Sequence, residues 1–240
     1  MPRFFTKNIH SSRAVIEGDD ARHISKSLRM RVGDNVVLCD GEGLDYHGEI
    51  AFISDVHVEV HILKQEHSPG EPNIGITLYQ ALPKSDKLEF IVQKAVELGV
   101  REIVPVITSR CVSRPDGKSM AKKQVRLNRT ALEAAKQCGR GILPAVASLM
   151  DFQNAIVSMK GYTLPILCYE GAAPPLCEVL HPRPRQIALM IGSEGGFSEE
   201  EVCLAEKSGV HIASLGKRVL RCETAPICAI SAILYAYGEL

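Results

Sequence analysis

The run IALMIGSEGGFSEEE (187–201) carries the strongest chemical signal in the chain. An apolar strand ends at Ile191, the turn Gly192-Ser193-Glu194-Gly195-Gly196 follows, and a helix starts with Ser198 as N-cap and Glu201 at N3. Glycines in a turn between a parallel strand and a helix remove the Cβ obstacle and let backbone N–H groups approach a ligand. The bland alternative is an ordinary tight βα turn. A pyrophosphate does not suit the site. GSEGGF lacks the GxGxxG spacing, and Gly117-Lys118-Ser119 has Val112 where a P-loop requires its first glycine. The acidic SEEE would also repel phosphate from that helix N-terminus. A ligand that is not a pyrophosphate fits better, and an adenosine bearing a sulfonium tail is one such molecule.

Two further loops could act with this turn. LGKRVLRCETAP (215–226) sets Lys217, Arg218 and Arg221 against Glu223, with Thr224 as the expected N-cap of the closing helix and Pro226 in its first turn. In α/β folds a loop at the carboxyl end of a parallel strand is where ligands sit. AKQCGRGILPAV (135–146) puts Arg140 between two glycines just after a basic helix, a setting that suggests an exposed guanidinium. No metal chemistry stands out. His57 and His61 share the outward face of a strand without a third ligand, and no two of the eight cysteines have CxxC spacing. Cys222 stands beside Arg221.

The elements that must position these loops fall into two textures. In residues 1–70, VVLCDGEGLDYHGEIAFI reads as a hairpin split at Asp40-Gly41-Glu42-Gly43, and Val56, Val58, Val60 and Ile62 alternate with polar residues. Short, closely spaced strands predict a small barrel or sandwich. HSPGEPN (67–73) marks a boundary. From residue 74, apolar strands (ITLYQAL, REIVPVIT, TLPILCY, QIALMIG, VHIASLG) alternate with helical patterns. One of these, SDKLEFIVQKAVELG, has Asp86 and Glu89 spaced as a capping box and Gly99 as its stop. The alternation predicts an α/β domain with a mostly parallel sheet.

The 28 basic and 28 acidic side chains cancel overall. They do not cancel locally, because residues 71–150 hold 13 basic against 7 acidic groups, a positive middle that points to a polyanion. The basic side chains available to hold such a polyanion are Arg3, Arg22, Lys26, Arg29 and Arg31 in the first domain and Lys122, Arg126 and Arg129 on the helix 119–138. No apolar run approaches membrane-spanning length. Free thiols without an export signal suggest a reducing, cytoplasmic location.

MPRFF, HISKSLRMRVGD, EFIVQKAVELGV, EAAKQCGR, GSEGGFSEEE and LGKRVLRCETA, in this order along nearly the whole chain, resemble the signatures of the RsmE family. That family comprises SPOUT-superfamily methyltransferases acting on N3 of a uridine in 16S ribosomal RNA of the small subunit. The resemblance implies a PUA-like β-barrel over 1–70 for RNA and a SPOUT domain over 74–240 whose tail is threaded into a trefoil knot. It further implies S-adenosylmethionine as cofactor and a homodimer. The cofactor loops it implies are Tyr169 and Glu170; Gly192, Ser193, Glu194, Gly195 and Gly196; and Leu215, Gly216, Val219, Leu220, Arg221, Glu223 and Thr224. Ser193 and Cys222 depart from the proline and threonine often found there.

Chemistry then assigns roles. N3 of uracil becomes nucleophilic only as its proton leaves, and the charge spreads over two carbonyl oxygens, so the site needs cations aimed at them. Arg140 and Arg221 are expected to do this, with Glu194 or Glu223 as base. Two competing readings are a SPOUT enzyme acting on transfer RNA and a non-catalytic RNA-binding maturation factor.

Overall fold

A computed structural model of the chain describes residues 1–180 and 184–240. It divides into two units, Met1–Glu71 with Ala135–Leu143, and Pro72–Ala134 with Pro144–Leu240.

The first unit holds β1 (Arg3–Phe5), β2 (Ile9–His10), β3 (Arg13–Glu17), α1 (Gly18–Arg22) running into a π-type turn, β4 (Asn35–Cys39), β5 (Leu44–Ile53) and β6 (His57–His67). The strands form one curled sheet in the order β1-β4-β5-β6-β3-β2. All pairs are antiparallel except β1 with β4. Period-two alternation supplies its core: Ala14 and Ile16 of β3, Val36 and Leu38 of β4, and Val58 and Val60 of β6 point inward. Val56 falls outside the alternation expected of it and is 74% exposed. The Ser54 hydroxyl accepts hydrogen bonds from the N–H groups of Val56 and His57, a turn that lifts Val56 off the strand. β5 is bulged next to Gly48, where a Cβ would lie 2.5 Å from Val60 Cγ1 and 2.7 Å from the His61 carbonyl oxygen.

The second unit contains β7 (Gly75–Ala81), α2 (Lys87–Glu97), β8 (Glu102–Ile107), β9 (Ala145–Val146), β10 (Met150–Asp151), α4 (Phe152–Met159), β11 (Leu164–Cys168), α5 (Leu176–Val179), β12 (Gln186–Ile191), α6 (Glu199–Lys207), β13 (His211–Ala213) and α7 (Thr224–Tyr237). The long basic α3 (Gly117–Cys138) begins here and ends in the segment assigned to the first unit. The sheet order is β10-β8-β7-β12-β11-β13, with β9 also on β8, and every pair is parallel. β7, β11 and β12 are buried almost throughout, as continuous apolar runs require when helices cover both faces. Leu88, Ile91, Val92, Ala95 and Val96 form the buried stripe of α2, and Gly99 at φ +88° stops it.

The local expectations fare unevenly. Ser198 and Glu201 form the full capping box on α6. Asp86 and Glu89 do not. Asp86 stands at the N-cap of α2 without a side-chain cap bond, and both carboxylates turn instead to Arg126, at 2.9 and 3.2 Å. Glu223, not Thr224, is the N-cap of α7, and Pro226 lies buried in its first turn. No described helix is long and apolar enough to cross a membrane.

Candidate functional site

The chain runs from β7 outward through β8 to β10, then returns to place β12 on the other side of β7. A parallel sheet opens a crevice at its carboxyl edge where the winding reverses. Next to that point a cavity of about 310 Å³ is walled by the segments following three neighbouring strands: Cys168–Glu170 after β11, Gly192–Glu194 with Gly196 after β12, and Ser214–Cys222 after β13. Lys87 and Ala225, at the starts of α2 and α7, complete it. A volume near 300 Å³ is at the small end of ligand pockets.

The glycine turn is folded tightly. The Gly196 N–H donates to the Ser193 carbonyl at 3.0 Å, and Gly196 has φ +64°. A Cβ on Gly196 would come 2.0 Å from Glu170 Oε1, so a side chain there would have to displace the Glu170 carboxylate from the place it now occupies. Gln80 at the end of β7 donates through Nε2 to the Gly192 carbonyl at 3.2 Å, fixing the turn to the sheet. Ser193 Oγ and Gln80 Oε1 are buried and have no hydrogen-bond partner among the described residues. Ser193 is among the residues that line the cavity.

The charges in the site are organised around Lys87. Its Nζ lies 3.0 Å from Glu194 Oε1 and 3.1 Å from Glu223 Oε2. The Cys222 thiol donates to Glu223 Oε2 at 3.2 Å. Burial, aided by Glu223, pushes that thiol up to about 12, which makes Cys222 an inert neutral donor. Burial pulls the Glu194 carboxyl upward, but its own backbone N–H, the Lys87 ammonium and the Lys84 N–H outweigh it and hold the group below the ordinary carboxylate range. Glu223 is also held low, first by the Cys222 thiol and further by its own N–H and Lys87. Lys87 is raised by Glu194 and then by Glu223. Beside this cluster, Lys217, Arg218 and Arg221 are exposed, and none makes an ion pair among the described residues.

Most of the cofactor loops expected from the sequence therefore meet at one cavity. Tyr169, Glu170, Gly192, Ser193, Glu194, Gly196, Leu215, Gly216, Val219, Leu220 and Arg221 line it. Gly195, Glu223 and Thr224 do not. Gly195 backs onto Arg110, whose guanidinium donates to the Gly195 carbonyl; Glu223 reaches the site through Lys87; Thr224 begins α7. The partner of both carboxylates is Lys87 rather than Lys217 or Arg218. A cation in the first turn opposes the helix dipole, and that local misfit was the available hint.

Arg140 is not the exposed guanidinium its flanking glycines suggest. It is 3% exposed, belongs to the first unit and pairs with Glu71 at 2.7 Å. Arg3 likewise does not face RNA freely, because it makes a two-pronged pair with Asp45, 2.8 Å in each arm, and Asp45 is 1% exposed. Lys26 pairs with Asp55, Arg22 with Asp19, and Arg126 with Asp86 and Glu89, all at the surface. Arg29, Arg31, Lys122 and Arg129 are exposed. Among the described residues no group of three or more His, Cys, Asp or Glu side chains could hold a metal.

The cavity residues fit a cationic adenosine derivative by their chemistry. Ile191, Leu215, Val219 and Leu220 offer apolar surface, the Ser193 hydroxyl is unpartnered, and two ionised carboxylates share one ammonium. Comparison with known proteins agrees with this geometry. Residues 70–234 match the family model described as RNA methyltransferase domain, and residues 16–63 match the RNA methyltransferase PUA domain. The Bacillus subtilis ribosomal RNA small subunit methyltransferase E is 34% identical, covering 92% of this chain and 89% of that protein. The Synechocystis protein of the same name is 31% identical, covering 88% of this chain and 69% of its own. The Neisseria gonorrhoeae ribosomal RNA small subunit methyltransferase E, solved bound to S-adenosylmethionine, superposes with a TM-score of 0.89 at 32% identity, covering 98% of each chain. With a parallel-sheet cavity built from the loops of β11, β12 and β13, and a curled PUA-type sheet before it, this chain belongs to the ribosomal RNA small subunit methyltransferase E family.

Proposed function

We propose that the chain methylates N3 of a uridine in the 16S RNA of the small ribosomal subunit, with S-adenosylmethionine as donor. The observation that carries this reading is the convergence of three loops on one cavity whose rim bears the exposed cations Lys217, Arg218 and Arg221, which make no ion pair among the described residues. When bound, S-adenosylmethionine supplies an electrophilic methyl group on a sulfonium. Gly192, Ser193 and Gly196, with Tyr169, Glu170, Leu215, Gly216, Val219 and Leu220, hold it. Arg221 acts as the catalytic cation. Its guanidinium faces the uracil carbonyls and stabilises the charge that grows on them as N3 gives its proton to solvent water; N3 then bonds the methyl group as its bond to sulfur breaks, leaving the neutral thioether. Glu194 is already neutralised by Lys87 and held low, so it is a weak proton acceptor, and its contribution is electrostatic. Arg140, buried against Glu71, organises the first unit and does not touch the base.

The target base must leave its stack to reach the cavity. The first domain (1–70) and the basic face of α3, through Arg22, Lys26, Arg29, Arg31, Lys122, Arg126 and Arg129, hold flanking phosphates; the match to an RNA methyltransferase PUA domain supports that assignment. The methyltransferase domain (74–240) carries a knotted tail, a reading supported by β13 lying beyond β11 from β12. It works as a cytoplasmic homodimer, supported by the exposed Cys228, Ala232 and Tyr235 on one side of α7.

The test is nucleoside mass spectrometry of small-subunit RNA from cells with and without this chain. 3-Methyluridine should disappear with the chain and return with its expression. An unchanged 3-methyluridine content, or a modified nucleoside lost from transfer RNA instead, overturns the reading.

A further inference from the structure

Lys87 sits in a turn that makes two unfavourable local choices. Ser85, a residue with a Cβ, has φ +58°. Lys87 places a positive charge in the first turn of α2, against the helix dipole. Strain of this kind persists where the surrounding structure over-determines it, and it gathers at functional sites. What the turn delivers is a double grip on Glu194. The Lys84 N–H donates to Glu194 Oε1 and Oε2 at 3.2 and 3.3 Å, and the Lys87 ammonium closes on Oε1 at 3.0 Å. The same ammonium reaches Glu223 at 3.1 Å, and Glu223 is the N-cap of α7.

Glu194 lines the cavity in the turn after β12, and Glu223, just outside the cavity, adjoins the wall that follows β13. Without a cation between them they repel. With Lys87 between them the two walls are held at a set spacing, and the cluster keeps one net negative charge beside a cavity that Lys87 itself lines. The side chains of Lys87, Glu194 and Glu223 are 30%, 28% and 23% exposed, partly withdrawn from solvent, where ion pairs are screened less than at an open surface.

We propose that Lys87 is a positioning residue for the methyl donor: it fastens the glycine turn after β12 to the loop before α7 and so sets the shape of the donor cavity. This rests on the reading that the cavity takes S-adenosylmethionine.

The full-length chain is titrated calorimetrically with S-adenosylmethionine, and methyl transfer to small subunits is followed at varied donor and varied RNA. Lys87→Met should raise both the donor Kd and the donor KM by about tenfold, the scale of losing one partner of charge-assisted hydrogen bonds at a partly exposed site. The RNA KM and kcat should move far less, because the lost interaction serves donor binding. Lys87→Arg, which restores a cation with a forked donor set, should recover most of the affinity. Adding Glu194→Gln and Glu223→Gln to Lys87→Met should also recover part of it, since the repulsion is then gone. If Lys87→Met does not fold, Glu223→Gln alone removes one arm and should weaken the donor with RNA KM unchanged. Unaltered donor affinity in the folded Lys87→Met protein overturns the role of Lys87 and leaves the cavity assignment standing, as does equal loss in donor and RNA terms. A parent protein that does not bind S-adenosylmethionine overturns the cavity assignment and this inference with it.

Discussion

Arg140 and Glu71 face each other as a two-pronged pair, Nε to Oε1 at 3.2 Å and Nη2 to Oε2 at 2.7 Å, and Glu71 Oε1 also accepts the N–H groups of Gly141 and Ile142 at 2.9 Å each. One carboxylate thus holds both the side chain and the backbone of the segment that joins the first unit from a distant part of the sequence. Removing the guanidinium leaves a nearly buried charge half satisfied. Arg140→Ala is expected to cost about 3 kcal/mol of stability in chemical denaturation. Arg140→Lys should recover little of it, because an ammonium cannot span both oxygens.

Gly196 is the glycine of the β12 turn that has a positive φ, a backbone conformation that a β-branched residue rarely adopts. A side chain there meets both the positive φ and Glu170. Gly196→Val should destabilise the fold by about 1–3 kcal/mol and abolish S-adenosylmethionine binding measured by calorimetry. Retained binding would show that the turn is not a wall of the donor site.

Arg221 is exposed at the cavity and takes no ion pair within the described residues. Arg221→Ala should leave the unfolding midpoint within error of the parent. Methyl transfer should fall by about a hundredfold or more, the usual effect of deleting a donor aimed at a developing oxyanion. Single-turnover assays with saturating donor read this step directly.

The acids of the Lys87 cluster set a pH window. Glu194 and Glu223 are held below their ordinary values in the folded chain, so their stabilisation is complete above the unfolded carboxylate range and is lost as pH falls through their folded values. Lys87 is raised, so its share is complete below the unfolded lysine value and is lost only as pH climbs through its own folded value. Donor affinity should therefore be level from neutral pH down to mildly acidic buffer and fall only below the ordinary carboxylate range. A break in donor affinity near neutrality would contradict this cluster as the controlling group.

RNA binding should weaken linearly in log K with log salt, because phosphate contacts release counterions. Lys122→Ala and Arg129→Ala, two exposed positions on α3, should each lower that slope by about one if they contact phosphate. Filter binding across a salt series measures it.

The strands and the α6 cap were legible because they depend on neighbours in sequence. LPILC and QIALMI are buried runs, and Ser198 and Glu201 cap one another within a single turn. The ion pairs were not, since their partners lie far along the chain: Arg3 is 42 residues from Asp45, and Arg140 is 69 from Glu71. A guanidinium between glycines reads as exposed until a distant carboxylate is brought to it. Asp86 and Glu89 had the spacing of a cap but found a stronger partner in Arg126. Lys87 was missed for the same reason, with one acid after β12 and the other after β13. The turn after β12 and the segment after β13 were legible because each follows an apolar strand and carries its own glycines or cations; the segment after β11 came only with the family resemblance, and the third loop read from the residues, around Arg140, lies in the first unit.

The order β12-β11-β13 has a consequence for how the molecule comes into being. Its middle wall is synthesised first, a flank second, and the opposite flank last, with the cavity lined by residues from Cys168 to Ala225 apart from Lys87. A nascent chain emerging from its ribosome has therefore no complete cavity until almost the last helix is out, and any premature stop in that stretch leaves every residue of the first unit made and the cavity missing.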